Sequence, residues 1–230
     1  MKIAFSGLNL PEGKVKYKDE ILVALEKKFE PLKVTPFFAE FIKGDFVQAD
    51  AIAVERSALL DLLIIDMEKM EARAERSEDA AEKALAKKCL QALEAEKPLC
   101  DVEFTEAETT VVRGLAPVSL KPTFIVDGSD PDVNKLIRDV MDKAKVSFFY
   151  TAGKKEVRSW FINKGSDILT CAGKIHSDLA RGFIKGDVVN FADFKDLHNL
   201  NEAKAKGVAK LVDRDYIMQE GDIIEIRFNV

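Results

Sequence analysis

Cysteine, histidine and tryptophan are scarce in this 230-residue chain, with three, two and one copies. Cys89, Cys100 and Cys171 are too few and too scattered for a disulfide framework, and there is no C-x-x-C and no cysteine–histidine pairing at zinc spacing. They read as reduced thiols used as small apolar residues. Neither His176 nor His198 has a partner at metal-ligand spacing. His176-Ser-Asp178 brings together three residue types of a hydrolytic relay, but adjacent residues cannot converge on one reacting atom, so the tripeptide reads as a cap or turn. No apolar run approaches the roughly 20 residues that cross a bilayer; the longest, Ala58 to Ile65, is broken by Asp61. The start, Met1-Lys-Ile-Ala-Phe, lacks the apolar core and cleavage site of a leader. These features point to the cytoplasm and away from a membrane. A surplus of positive charge is also missing: the net charge of −5 offers nucleic acid no global attraction, so any such binding must come from a local basic face.

What is present is an alternation of short strands and helices. Lys2 to Ser6 reads as a buried strand, and Ile21, Leu22, Leu25 and Phe29 mark a helical face in Tyr17 to Phe29, stopped by Pro31. Lys33 to Phe41 has strand composition, limited or split by Pro36, and Asp50 to Val54 is a further short strand. Ser57 to Glu96 has no Gly and no Pro and is rich in Ala, Glu, Lys, Arg and Leu. Its apolar spacing predicts a helical hairpin turning at Ser77-Glu-Asp79, with one continuous helix as the alternative. Thr105 and Glu108 form a possible capping box for a helix reaching Arg113. Pro122 to Val126 reads as a strand, and Pro131 to Lys145 as a helix capped by Asp130. Strands predicted at 157–162, 185–191 and 222–228, with a helix at 168–175, make up the remainder. In the last of these, Ile224, Ile226 and Phe228 share one face.

The carboxylates Glu103, Glu106 and Glu108, and Asp127, Asp130 and Asp132, lack EF-hand spacing and are read as caps and helix N-terminal charges.

Three stretches at the C-terminal end carry a family resemblance. They are Tyr150-Thr-Ala-Gly-Lys-Lys-Glu-Val-Arg-Ser-Trp160, Gly173-Lys-Ile-His-Ser-Asp-Leu-Ala-Arg-Gly-Phe183 and Asp215-Tyr-Ile-Met-Gln-Glu-Gly-Asp-Ile-Ile-Glu-Ile-Arg-Phe-Asn-Val230. Together they resemble the C-terminal TGS-type domain of the YchF branch of Obg-like P-loop NTPases. Asp66-Met-Glu-Lys-Met-Glu-Ala-Arg73 resembles the start of that family's coiled-coil hairpin. The resemblance implies an α/β fold with three parts. Residues 1–56 and 98–150 would form a reduced, P-loop-NTPase-like parallel sheet, and residues 57–97 an inserted antiparallel helical hairpin. Residues 151–230 would form a β-grasp (TGS, ubiquitin-like) domain, with the boundary near Tyr150 to Lys154.

The resemblance also implies a phosphate-binding loop, and here the residues depart from it. A P-loop reads G-x-x-x-x-G-K-[ST], its glycines exposing backbone N–H groups, its lysine neutralising phosphates and its hydroxyl holding Mg²⁺. This chain has Gly7-Leu-Asn-Leu-Pro-Glu-Gly13-Lys14-Val15, expected after a strand and ahead of a helix. Five residues separate the glycines, and Val15 has no oxygen for a metal. Glu12 would oppose each phosphate charge by about 1 kcal/mol in water at ~4 Å and by several in a drier site. Where the family reads a purine with an asparagine, Phe124-Ile-Val-Asp-Gly-Ser-Asp130 offers Gly128. Residual nucleotide binding would fall to Gly7, Gly13 and Lys14. No cofactor and no metal are expected, ATP or GTP being the alternative. In the family, TGS domains are taken to contact RNA, the ribosome or partner proteins. The matching candidates are Lys154, Lys155, Arg158, Lys164, Lys174, Arg181 and Lys185, seven basic residues against four acids between Thr151 and Asn190. Trp160 is read as core rather than a base-stacking platform. The reading is of a non-catalytic protein that docks on ribosome, RNA or a translation-related partner.

Overall fold

Pro36 has no N–H to give a ladder, and it separates two strands that join different sheets. The computed structural model describes Met1–Asn229, which divide into two compact units: Met1–Val15 with Phe38–Ala144, and Lys16–Phe37 with 145–229. In chain order, β1 (Lys2–Ser6) and β2 (Gly13–Lys16) precede α1 (Glu20–Phe29), β3 (Lys33–Thr35), β4 (Phe38–Lys43) and β5 (Ala51–Glu55). Then come α2 (Leu59–Arg76), α3 (Ala80–Glu94), α4 (Glu106–Leu115), β6 (Thr123–Val126) and α5 (Val133–Lys143). The rest holds β7 (Val146–Ala152), β8 (Glu156–Asn163), α6 (Ile168–Ile175), α7 (Ser177–Arg181) and β9 (Phe183–Asn190). It ends with α8 (Phe191–Phe194), α9 (Leu200–Ala205), β10 (Lys210–Val212) and β11 (Asp222–Phe228).

The first unit is built on a sheet of order β2-β4-β1-β5-β6, in which β4, β1, β5 and β6 run parallel. Parallel strands are covered on both faces, and accordingly Ile3, Ala4, Ile52, Ala53 and Val54 are fully buried. Helices α2 and α3 are two helices, not one: Asp79 caps α3 by accepting from the N–H groups of Ala81 (2.7 Å) and Glu82 (3.3 Å). They pack against each other, burying Leu62, Leu63 and Met70 with Leu85, Cys89 and Leu93 in one cluster. Asp66, fully buried on α2, accepts from the N–H groups of Val118 and Ser119, both at 2.7 Å. A buried carboxylate survives because two backbone donors replace its water. The capping box at Thr105 and Glu108 forms, and Glu108 also holds Lys88 at 3.0 Å.

The second unit carries a mixed sheet of order β10-β9-β11-β7-β8-β3. Strands β7 and β8 pair antiparallel, β11 lies parallel to β7 and antiparallel to β9, and β3 lies parallel to β8. Helix α6 buries Ile168, Cys171 and Ala172 against Phe149, Ile162, Val188 and Ile224. Helix α1 belongs here too. Its cap, Asp19, accepts from the N–H groups of Ile21 and Leu22 and from the Tyr150 hydroxyl at 2.8 Å. Phe29 stacks on Phe194 at 5.9 Å, and the Lys28 ammonium donates to the carbonyls of Phe194, Lys195 and Leu197. Burial, then the adjacent Asp19 carboxylate, pushes the Tyr150 hydroxyl far above its ordinary range, so it stays a donor.

Four expectations need correction. Residues 16–37, read with the first domain, sit in the second unit because β3 pairs with β8 and α1 packs on β7 and β8. Tyr150 is not a boundary: it lies within β7, an apolar run (Val146, Phe148, Phe149, Tyr150) buried inside the second sheet. The cap of α5 is Asp132, which accepts from Lys135 N–H at 2.7 Å, and not Asp130. Gly13–Lys16 forms a strand, β2, where none was read, and the helix read from Tyr17 follows it, starting at Glu20. The thiols behave as packing residues, burial pushing Cys89 up to about 11 and Cys171 up to about 12.

Candidate functional site

In an open α/β sheet a ligand is received at the carboxyl ends of the strands, in the loops that follow them. In the first unit those loops are closed upon one another. Gly7 follows β1 at φ 72°, and a Cβ there would come within 2.7 Å of the Glu55 Cβ and 2.9 Å of the Ala58 Cβ. The glycine therefore lets the loop pack against the end of β5. Beyond it, Asn9 N–H donates to Ser129 C=O at 2.7 Å, and the Asn9 amide donates to Asp130 at 2.9 Å. The Asn9 amide, then Ser129, holds the Asp130 carboxyl below its usual range. Arg56 bridges to Asp127 at 2.6 Å. Two hydrogen-bonded clasps thus occupy the end of the sheet where phosphates would enter.

The three residues proposed for residual nucleotide contact are not assembled into a cradle. Gly13 and Lys14 open β2, which pairs with β4 at the sheet edge. Among the described residues no helix begins there, so no helix dipole faces the loop. Lys14 and Glu12 are both exposed. Gly128, at the position expected to read a base, has no side chain and nothing within 4 Å of a would-be Cβ. A cavity of about 320 Å³ beside β6 and α5 is lined by Asp127, Asp132 and Asp139 against one Lys135, itself bridged to Asp139 at 3.2 Å. Its surplus of carboxylates repels a polyphosphate. Among the described residues, no group of three or more His, Cys, Asp or Glu could hold a metal ion.

The seven basic residues of the second unit are distributed, not gathered into a strip. Lys154 and Lys155 are exposed in the turn joining β7 and β8. Lys164 lies beyond the opposite end of β8. Arg158 is half-buried, its guanidinium 3.6 Å from the centre of the Trp160 ring, which in turn stacks on Phe149 at 6.1 Å. Lys174 lies over the Phe161 ring at 3.6 Å and donates to the Phe161 carbonyl, and burial depresses its ammonium's pKa. Arg181 pairs with Asp178 at 3.0 Å, and Lys185 pairs with Asp213. His176 caps α7 by accepting from Asp178 N–H at 3.2 Å, and His198 is exposed. The Lys154–Lys155 turn is what remains available to an anionic partner.

Beside that turn is a feature that charge counting missed. A cleft of about 510 Å³ lies between Thr151–Glu156 on one side and Ile224–Phe228 on the other, with Ile175, Leu179 and Leu200 in its lining. The signal was the alternation along β11, whose Ile224, Ile226 and Phe228 line it.

Comparison with known proteins bears on both units. Residues 146–229 match the family model of the YchF-GTPase C-terminal domain, described as a protein of unknown function. The chain is 41% identical over 97 residues to Obg-like ATPase 1 of Danio rerio, covering 42% of this chain and 24% of that protein. It is 28% identical over 237 residues to the ribosome-binding ATPase YchF of Bacillus subtilis, covering 74% of this chain and 65% of that protein. The chain thus spans less than two thirds of the length of these relatives. The solved structure of the Schizosaccharomyces pombe YchF GTPase superposes with a TM-score of 0.80 at 18% identity, covering 99% of this chain and 97% of that one. At that identity the likeness is one of fold: mixed α/β, with parallel and antiparallel sheets.

Proposed function

For a chain of the YchF branch of the Obg-like NTPases, we propose a docking role without a nucleotide switch. The carrying observation is that β1 leads into a loop and then the edge strand β2, with no helix starting in the phosphate position. Phosphate binding in P-loop proteins draws on that helix start and on successive free N–H groups. Here the corresponding loop spends its polar groups on Ser129 and Asp130. The first unit then serves as a reduced G-domain scaffold carrying α2 and α3 as an antiparallel helical hairpin. The second unit serves as a TGS-type β-grasp module that docks on a ribosome, an RNA or a translation-related protein. The relatives' names support the ribosome as first choice.

Lys154 and Lys155 provide the anion-facing contact. The test is co-sedimentation with ribosomes of the intact chain and of a Lys154→Glu/Lys155→Glu variant, with Arg158 left in place because it packs on Trp160. Pelleting should fall in the variant and weaken with salt, each phosphate contact adding about one unit of slope. Equal pelleting of both proteins at all salt concentrations would refute the role given to that turn.

The second reading is weak ATP or GTP binding without hydrolysis. It is favoured by the open surroundings of Gly13, which leave backbone accessible beside the exposed Lys14.

A further inference from the structure

The cleft of the second unit has a construction of its own. Strand β11 pairs with β9 from Asp222 to Phe228, whereas on its other side it meets β7 at Ile223 and Tyr150. Past that point the β7–β8 turn and the distal half of β11 form opposite walls of one cavity of about 510 Å³. That size suits two or three side chains rather than a whole domain. Its lining surface is mostly apolar, and Phe228 at the mouth is 47% exposed.

Charge at the rim is one-sided once the internal pairs are set aside. Glu156 bridges to Lys33 at 3.0 Å and accepts from the Thr35 hydroxyl at 2.5 Å. Glu225 bridges to Lys204 at 2.6 Å. Both acids of the lining are therefore compensated. Lys154 and Lys155 are exposed and make no ion pair with another described residue. The cleft thus presents apolar walls under two uncompensated positive charges.

We propose that this cleft receives an extended peptide segment of a partner protein in which apolar side chains alternate with acidic ones. An extended segment points every second side chain to the same side. Alternation would send apolar residues in against Ile226 and Phe228 and hold carboxylates out toward Lys154 and Lys155. This is the strand-addition mode, in which backbone edge and alternate pockets act together. An unpaired RNA strand is disfavoured by the walls: base stacking uses aromatic faces, and the lining supplies one aromatic ring, Phe228. The inference rests on the docking role proposed above and names the chemistry of the partner at that site.

The chain supplies its own reporter. Trp160, the sole tryptophan, donates to the hydroxyl of Thr151, a lining residue, at 3.0 Å. The intact protein is titrated with synthetic peptides about eight residues long, the length of a strand. One set alternates Leu or Ile with Asp or Glu, and a control set carries Lys at the acidic positions. A single-stranded RNA oligonucleotide of equal length is titrated in parallel. Tryptophan emission and anisotropy of labelled peptide are read. The acidic set should bind saturably, and Phe228→Asp and, separately, Lys154→Glu/Lys155→Glu should each weaken it about tenfold or more. Both variants change exposed positions, so retained cooperative unfolding checks their fold. Equal binding of acidic and basic peptides, binding unaffected by both variants, or binding of RNA alone would overturn the inference. No peptide binding up to about 1 mM would do the same. If ribosome pelleting still depends on Lys154 and Lys155 in that case, the docking role stands and the peptide cleft alone is refuted.

Discussion

The two units treat the ends of their strands in opposite ways. In the first, the loops after β1, β5 and β6 hydrogen-bond to one another through Asn9, Ser129, Asp130, Arg56 and Asp127. In the second, the walls at the ends of β7 and β11 enclose an open cleft with two exposed lysines. A sheet of the same general kind can therefore be sealed or left receptive by a handful of loop contacts. The lesson is that ancestry is carried by the strands and helices, while activity depends on whether loop donors face each other or face a ligand.

That contrast can be sharpened by mutation. The largest effect is expected for Asp66→Ala in the first unit. It strands the N–H groups of Val118 and Ser119 in a fully buried site. Each orphaned donor costs about 1–3 kcal/mol, so denaturant unfolding should show a loss of about 2–5 kcal/mol in total. If the first unit lost less than about 1 kcal/mol, Asp66 would not tie α2 to the Val118 and Ser119 backbone.

A smaller effect is expected in the second unit from Asp187. This nearly buried carboxylate bonds Arg227 at 2.8 Å and Lys204 at 3.1 Å. Burial opposes its charge, but those two cations prevail and hold its carboxyl below the usual range. A carboxyl lowered on folding contributes stability above its unfolded value, about 3.9, and loses it as pH falls through the folded value. Thermal midpoints should therefore drop as pH declines below about 4, with a shallower drop in Asp187→Asn. Identical acid profiles for the two proteins would contradict the assignment. At neutral pH the variant should lose about 2 kcal/mol, less than a fully buried pair because Arg227 is half exposed.

Much of this fold was legible in the chain. Helix α6 falls on the residues its spacing predicted, and the alternation of Asp222 to Phe228 gave β11. Asp79 and the Thr105–Glu108 box mark helix starts in the way their side chains require. The strand β2 was hidden because Gly13-Lys-Val-Lys16 is short and follows a sequence with the look of a phosphate loop. Strand β7 was obscured because Phe148, Phe149 and Tyr150 are consecutive and all buried, which shows no period of two when both faces are covered. The placement of α1 in the second unit depends on Asp19 meeting Tyr150, 131 residues away, which no local pattern reports. Of the candidate site, the defects at Val15 and Gly128 were readable one residue at a time. The scattering of the seven basic residues was not, because Lys174 meets the Phe161 ring and Lys185 meets Asp213 only once the chain is folded.

The account turns on the first unit having no grip on a nucleotide triphosphate. Isothermal calorimetry of the intact chain with ATP and with GTP, each with and without Mg²⁺, measures this directly. The sealed loops predict no saturable heat up to about 1 mM nucleotide. A micromolar dissociation constant that disappears in Lys14→Ala would contradict it.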